Sequence, residues 1–270
     1  MIRGEKYLHP ERIPSIWCPG CGNGIILHAM LAALEDLNIT TEDLVFVSGI
    51  GCSSRSTTYT IFDNIHTLHG RALPIATAIK LVRPDKKVVV MAGDGDTMAI
   101  GGNHLIHAAR RNIDVTLIIF NNSIYGMTGG QVSPLTPLGK RGTTATYGTI
   151  EETFDTVKLL EGAGATYVAR IGTYYFQAMV KYMKKALNHV GFSAVEVITQ
   201  CPIYYGRMNQ YKNPAEMMAL QKEQLVFKER AAKMSSEELK NKIVIGEFVE
   251  EEKQSYLQKR KIQLEGLSKS

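Results

Sequence analysis

The sequence predicts a doubly wound α/β domain on a mostly parallel sheet, followed by a charged helical extension. Three observations lead to this. Four short runs rich in β-branched residues, "LVFVSGI", "KVVVMAG", "VTLIIFNN" and "SAVEVIT", have the pattern of strands covered on both faces. Between them lie "GIILHAMLAALEDL", "LPIATAIKLV", "GGNHLIHAARR" and "TYYFQAMVKYMKKAL", whose apolar positions recur at three and four, as on one face of a helix. Strands that alternate with helices pair in parallel through crossovers. Third, 22 of the last 60 residues are charged and only two are glycine, a composition suited to solvent-facing helices. Residues 1–210 are therefore expected to form the α/β domain and 211–270 the extension. Within the extension, Asn213-Pro214 marks the start of a docking helix over "NPAEMMALQKEQLVFKERAAKM".

A chain of 270 residues can bury a large core. Its net charge of +5 is spread along the sequence rather than gathered into one run, so no nucleic-acid partner is expected. The opening "MIRGEKYLHPERIP" has no apolar run of signal-peptide type, and no stretch approaches the ~20 apolar residues of a membrane span. A cytoplasmic protein is expected. In that reducing compartment four cysteines point to a metal or redox role rather than a disulfide framework.

Ligands of a doubly wound sheet bind at the carboxyl ends of its strands, and two loops there draw notice. "MAGDGDTMAIGG" leaves a strand and runs into a helix. Gly93 and Gly95 flank Asp94 and let the backbone approach a ligand, and the helix start offers unpaired N–H groups suited to phosphate. A carboxylate in such a loop makes sense when a hard divalent cation joins it to a diphosphate. "FNNSIYGMTGGQ" follows the next strand and supplies the amide oxygens of Asn121 and Asn122. The 28 positions from Asp94 to Asn122 leave room for one helix and one strand, so neighbouring strand ends can bring the two together.

This pairing resembles the thiamine diphosphate signature. The resemblance implies that Asp94, the Asn122 side chain and the Ile124 carbonyl hold Mg²⁺, that Gly95 and Asp96 contact the diphosphate, and that Gly126 and Met127 line the cofactor. A more specific resemblance covers about residues 10–210: "WCPGCGNG", "SGIGCSSR", "HTLHGRA", "GDGDTMAIGG", "NNSIYGMTGGQ" and "CPIYYGRMN" are similar to the β subunits of 2-oxoacid:ferredoxin oxidoreductases. It implies a [4Fe–4S] cluster on Cys18, Cys21, Cys52 and Cys201, and thiamine diphosphate against Ile50, Gly51, Cys52, Ser53 and His69. On the cysteines alone a structural zinc site stays open, since one C-x₂-C is half a zinc signature. Arg55, a rigid bidentate donor, is a candidate for holding a substrate carboxylate, with a plain surface arginine as the alternative. His28, His104 and His107 read as packing residues, and nothing argues for His66.

The resemblance further implies oxidative decarboxylation of a 2-oxoacid, with coenzyme A taking the acyl group and ferredoxin the electrons, or the reverse. The wording is most like the 2-oxoglutarate enzymes; pyruvate and branched-chain 2-oxoacids stay open, as does a non-oxidative decarboxylase subunit. The glutamate that thiamine catalysis needs comes in this family from a pyrimidine-binding domain, for which one α/β domain leaves no room. An α subunit is therefore expected to complete the site, and no ferredoxin-type cysteine run is present.

Overall fold

The computed structural model describes residues 3–268. Ten strands and ten helices are described: β1 (Leu44–Ser48), β2 (Asp63–His66), β3 (Lys87–Gly93), β4 (Thr116–Asn121), β5 (Ile124–Tyr125), β6 (Gln131–Val132), β7 (Tyr167–Gly172), β8 (Ser193–Ile198), β9 (Leu225–Phe227) and β10 (Ile243–Glu250). The helices are α1 (Asn23–Asp36), α2 (Arg55–Thr58), α3 (Ala72–Val82), α4 (Gly102–Arg110), α5 (Thr156–Gly162), α6 (Phe176–Asn188), α7 (Pro214–Gln224), α8 (Lys228–Ala231), α9 (Ser236–Leu239) and α10 (Tyr256–Leu267). Eight strands make one sheet in the order β2-β1-β3-β4-β8-β7-β10-β9, and β5 and β6 form a small hairpin.

Neighbouring strands from β2 to β7 pair in parallel, as expected of α/β alternation. The strands bury both faces because their side chains alternate between two apolar layers. Val89, Met91, Ile118 and Phe120 pack under α1 and α6, whereas Val88, Val90, Leu117 and Ile119 pack under α3, α4 and α5. From β1 the chain goes outward to β2 and then returns across β1 to β3. The loops after β1 and β3 thus diverge at a topological switch point, where a crevice opens.

Two expectations need correction. The strand Tyr167–Gly172 escaped the sequence reading, because Arg170 interrupts its apolar run. The residues beyond 210 are not wholly helical: the expected helix ends at Gln224, Leu225–Phe227 is β9, and the charged "IVIGEFVE" is β10. β10 pairs antiparallel with β7, so the extension completes the main sheet. The open edge of β7 supplied the hydrogen-bond partners, and pairing at that edge overrode local propensity. The charges of β10 find partners as well, since Lys185 bridges Glu247 and Glu250. Helices α9 and α10, which start at capping boxes on Ser235 and Ser255 and bury none of their residues, fit the expected solvated helices. Among the described residues no helix is long and apolar enough to cross a membrane.

Asn112 ties the extension to the domain. Its φ of 50° is a left-handed conformation that asparagine tolerates well. Its Oδ1 accepts from Phe192 N at 2.7 Å and Thr166 Oγ1 at 2.9 Å, while Nδ2 donates to the carbonyls of Lys253 and Gln254. Replacing Asn112 by Ala strands the buried Phe192 N–H, and we expect a loss of about 2–3 kcal/mol, measured as a lower urea midpoint at unchanged m-value.

Candidate functional site

The parallel register brings the strand ends into line. Ser48 stands beside Met91, Gly93 beside Phe120, and Asn121 beside Ile198. The loops that follow β1, β2, β3 and β4 enclose a cavity of about 300 Å³ lined by Ile50, Gly51, Cys52, Ser53, His69, Gly93, Asp94, Gly95, Asp96, Asn122, Ile124, Tyr125, Gly126, Met127 and Thr128. Every residue that the sequence reading assigned to thiamine diphosphate or Mg²⁺ is in this lining.

Asp94 sits at its base, 2% exposed. Burial pushes its carboxyl up to about 7, and the Ser133 hydroxyl, which donates to Oδ2 at 2.6 Å, only partly opposes this. Among the described residues no lysine or arginine pairs with it. The Asn122 Oδ1 on the same cavity accepts from Ile124 N at 3.1 Å, which turns the 122–124 backbone back on itself. A buried carboxylate, an amide oxygen and a nearby carbonyl are hard donors, and a divalent cation would offset the cost of the buried charge. The residues fit Mg²⁺.

Asp96 differs. It is buried too, and burial raises its carboxyl, yet Oδ1 accepts from Gly70 N at 2.6 Å and Ile50 N at 3.4 Å and stands 2.6 Å from His69 Nδ1. The carboxylate is a junction of three loops. What Asp96 offers an anion is therefore its main-chain N–H, at the start of the π-helical turn Gly95–Ile100 that leads into α4. Gly49 is required beneath it, because a Cβ there would lie 1.8 Å from Asp96 Oδ2.

The four thiols form one electrostatic group. Cys52 follows β1, Cys201 follows β8, and Cys18 and Cys21 precede α1. Burial pushes the Cys21 thiol up to about 12 and the Cys52 thiol up to about 11, and the other cysteines push in the same direction. Cys201 is raised by burial as well, opposed by the N–H groups of Tyr205, Tyr204 and Ile203. A Cβ on Gly126 would lie 3.4 Å from Cys52 Sγ and 3.7 Å from Cys201 Sγ, so this cavity-lining residue lies against two of the thiols. Among the described residues no three His, Cys, Asp or Glu side chains are drawn together tightly enough for a single ion. Thiols with backbone N–H donors beside the Cys201 sulfur and a glycine against two of them are the donor chemistry that a polynuclear iron–sulfur group takes.

Arg55 does not line the cofactor cavity. It opens α2 and faces an adjoining groove with Arg12, Ile16 and Tyr59, where its Nε is buried without a partner. His28 packs on Phe176 at 4.9 Å, as expected of a packing histidine. Three contributors were missed. Tyr125 lays its ring against Gly95, where a Cβ would come within 2.2 Å, and donates its hydroxyl to the Gly95 carbonyl. Trp17 Nε1 donates to the Cys52 carbonyl at 2.8 Å, joining two cysteine loops. Ser133 acts on Asp94. Of these only Trp17, the sole tryptophan and next to Cys18, carried any signal in the sequence.

A crevice at the switch point with a Gly-Asp-Gly turn on one side and an Asn-Asn turn on the other defines a thiamine diphosphate-binding domain. The family described as "Thiamine pyrophosphate enzyme, C-terminal TPP binding domain" matches residues 49–197. The 2-oxoglutarate synthase subunit KorB of Methanocaldococcus jannaschii is 54% identical over 253 residues, 94% of each chain. The 2-oxoacid:ferredoxin oxidoreductase 2 subunit beta of Aeropyrum pernix is 41% identical over 188 residues, 70% of this chain and 61% of that one. A solved structure of the 2-oxoglutarate:ferredoxin oxidoreductase from Magnetococcus marinus, with 2-oxoglutarate, coenzyme A and succinyl-CoA bound, aligns with a TM-score of 0.88 at 30% identity, covering 98% of this chain and 91% of that one. The chain belongs to the β-subunit family of the thiamine-dependent 2-oxoacid:ferredoxin oxidoreductases, and within it resembles the 2-oxoglutarate members.

The raised Asp94 carboxyl makes stability depend on pH. Without divalent cation the folded chain keeps a proton that the unfolded chain releases above about pH 4, so stability falls as pH rises to about 7 and levels off beyond. Asp94→Asn removes that loss. In chelator we expect the variant to exceed the parent by on the order of a few kcal/mol at pH 8 and to show no advantage at pH 4, read from urea midpoints at the two pH values.

Proposed function

We propose that this chain is the β subunit of a 2-oxoglutarate:ferredoxin oxidoreductase that forms succinyl-CoA and CO₂ and passes electrons to ferredoxin. The observation that carries the reading is the shared wall between cavity and thiols: Cys52 lines the one and belongs to the other, and Gly126 lines the one and lies against two of the other. Bound thiamine diphosphate would supply the nucleophilic carbon for decarboxylation, and Cys18, Cys21, Cys52 and Cys201 would hold a [4Fe–4S] cluster that would supply a one-electron acceptor. The chain's own residues bind and insulate. Asp94, Asn122 and the Ile124 carbonyl hold Mg²⁺; the backbone at Gly95 and Asp96 meets the diphosphate; Ile50, Gly51, Ser53, His69, Gly126 and Met127 shape the cavity around the cofactor.

Arg55 is the candidate for the distal carboxylate of the substrate. Its unpartnered Nε, with Arg12 on the same groove, supports an anion-binding role there. The site is completed by an α subunit that brings the catalytic glutamate, in the cytoplasm, where the thiols stay reduced.

With the reconstituted complex we expect acceptor reduction on 2-oxoglutarate far above that on pyruvate or 3-methyl-2-oxobutanoate; equal or greater turnover on pyruvate overturns the substrate assignment. Arg55→Ala is expected to raise KM for 2-oxoglutarate at least about tenfold, as for loss of a charged hydrogen bond, with thiamine diphosphate affinity by calorimetry unchanged. Cys201→Ala is expected to lose the iron while retaining Mg²⁺-dependent thiamine diphosphate binding. Stoichiometric zinc in place of iron in the anaerobic protein contradicts the cluster.

A further inference from the structure

The segment beyond residue 210 reaches the thiol site through α7. Pro214, its first residue, packs on the loop between Cys18 and Cys21: a Cβ on Gly20 would lie 2.3 Å from the Pro214 Cγ, and Gly20 itself turns with φ +78°. Seven residues on, Gln221 is 7% exposed, a polar side chain where a buried helix position ordinarily takes an apolar one. Its Oε1 accepts from Tyr174 N at 3.1 Å and lies 3.1 Å from the Thr173 hydroxyl, and its Nε2 donates to Gln200 Oε1 at 3.4 Å.

Gln200 in turn stitches the cysteine loops together. It immediately precedes Cys201; its Nε2 donates to the Gly20 carbonyl at 3.2 Å, and its own carbonyl accepts from Gly22 N at 3.2 Å. Thr173 Oγ1 lies 2.9 Å from Gln200 Oε1, so one hydroxyl serves both glutamines. Met217, one turn earlier on α7, packs with Ile124, Cys201 and Tyr205.

We propose that α7 is a latch on the redox site, in which Gln221 is a positioning residue acting through Gln200 on the Gly20–Gly22 backbone that presents Cys21. The extension thereby holds the Cys18–Cys21 loop against the loop of Cys201 and keeps the ligand set assembled. A buried, mutually satisfied amide chain gives this register, because an apolar contact would permit the loop to slide. That the latch serves an iron–sulfur cluster rests on the function proposed above; the latch itself is a property of the protein chain and is testable without metal.

The test is residue-resolved alkylation. In the full chain, reduced and metal-free, iodoacetamide labelling of each cysteine is followed by peptide mass spectrometry for the parent, Gln221→Met and the exposed control Lys222→Ala. Gln221→Met keeps the volume and removes the hydrogen bonds. Cys21 is expected to label about tenfold faster in Gln221→Met, the size set by losing roughly one buried hydrogen bond from a local opening equilibrium. Cys18, already exposed, and the Lys222→Ala protein should not change. Equal Cys21 rates in the parent and in a Gln221→Met chain with parental circular dichroism overturn the latch. If that variant does not fold, Pro214→Ala, which removes only the ring on Gly20, decides: faster Cys21 labelling supports the latch and an unchanged rate overturns it. On the iron-loaded chain, visible absorption should also bleach faster under chelator in Gln221→Met. A parent that takes up no iron refutes the cluster, and the alkylation rates still decide the latch.

Discussion

The functional edge of this protein exists because β1, β3, β4 and β8 run parallel and end nearly level. Parallel pairing sends every crossover helix to the faces of the sheet and leaves the carboxyl ends free, so loops far apart in sequence leave from one narrow ledge. The glycines Gly49 and Gly95 can then be pressed against Asp96 and Tyr125, distances that a side chain at those positions would forbid, and Gly126 lies against the sulfurs of Cys52 and Cys201. Shifting one strand by a single residue would turn its inward side chains outward and break both the core layers and the ledge.

Two carboxylates, Asp94 and Asp96, lie two residues apart and are both buried, and their surroundings give them opposite tasks. Asp96 spends its charge inside the protein, on Gly70 N, Ile50 N and His69, and so fastens the loops. Asp94 has one hydroxyl from Ser133 and no protein cation among the described residues, so its charge is available to a ligand. The same reasoning applies to the thiols. Burial, with other cysteines adding in the same direction, raises Cys21, Cys52 and Cys201, so these thiols stay protonated unless a cationic group offsets the charge of their thiolates.

The C-terminal extension is bound up with this edge. β10 extends the sheet beside β7, Asn112 holds the chain at Lys253 and Gln254, and α7 reaches back to Gly20 and Gln200. A segment with the composition of a solvated tail is therefore part of both the core and the site.

The sequence alone determined the elements whose local signal is strong: apolar runs too continuous for a half-exposed strand, helices with three-and-four spacing, and Gly-rich turns carrying Asp94, Asn122 and the cysteines. These follow from backbone sterics and burial periodicity, which act over a few residues. Only the tertiary structure decided that "IVIGEFVE" is a strand, that the Asp96 carboxylate meets His69, that Arg55 opens onto a separate groove, and that Gln221 and Gln200 join the tail to the cysteine loops. Each of those outcomes depends on a partner brought close by the fold from a distant part of the chain, and no local propensity encodes which partner will arrive.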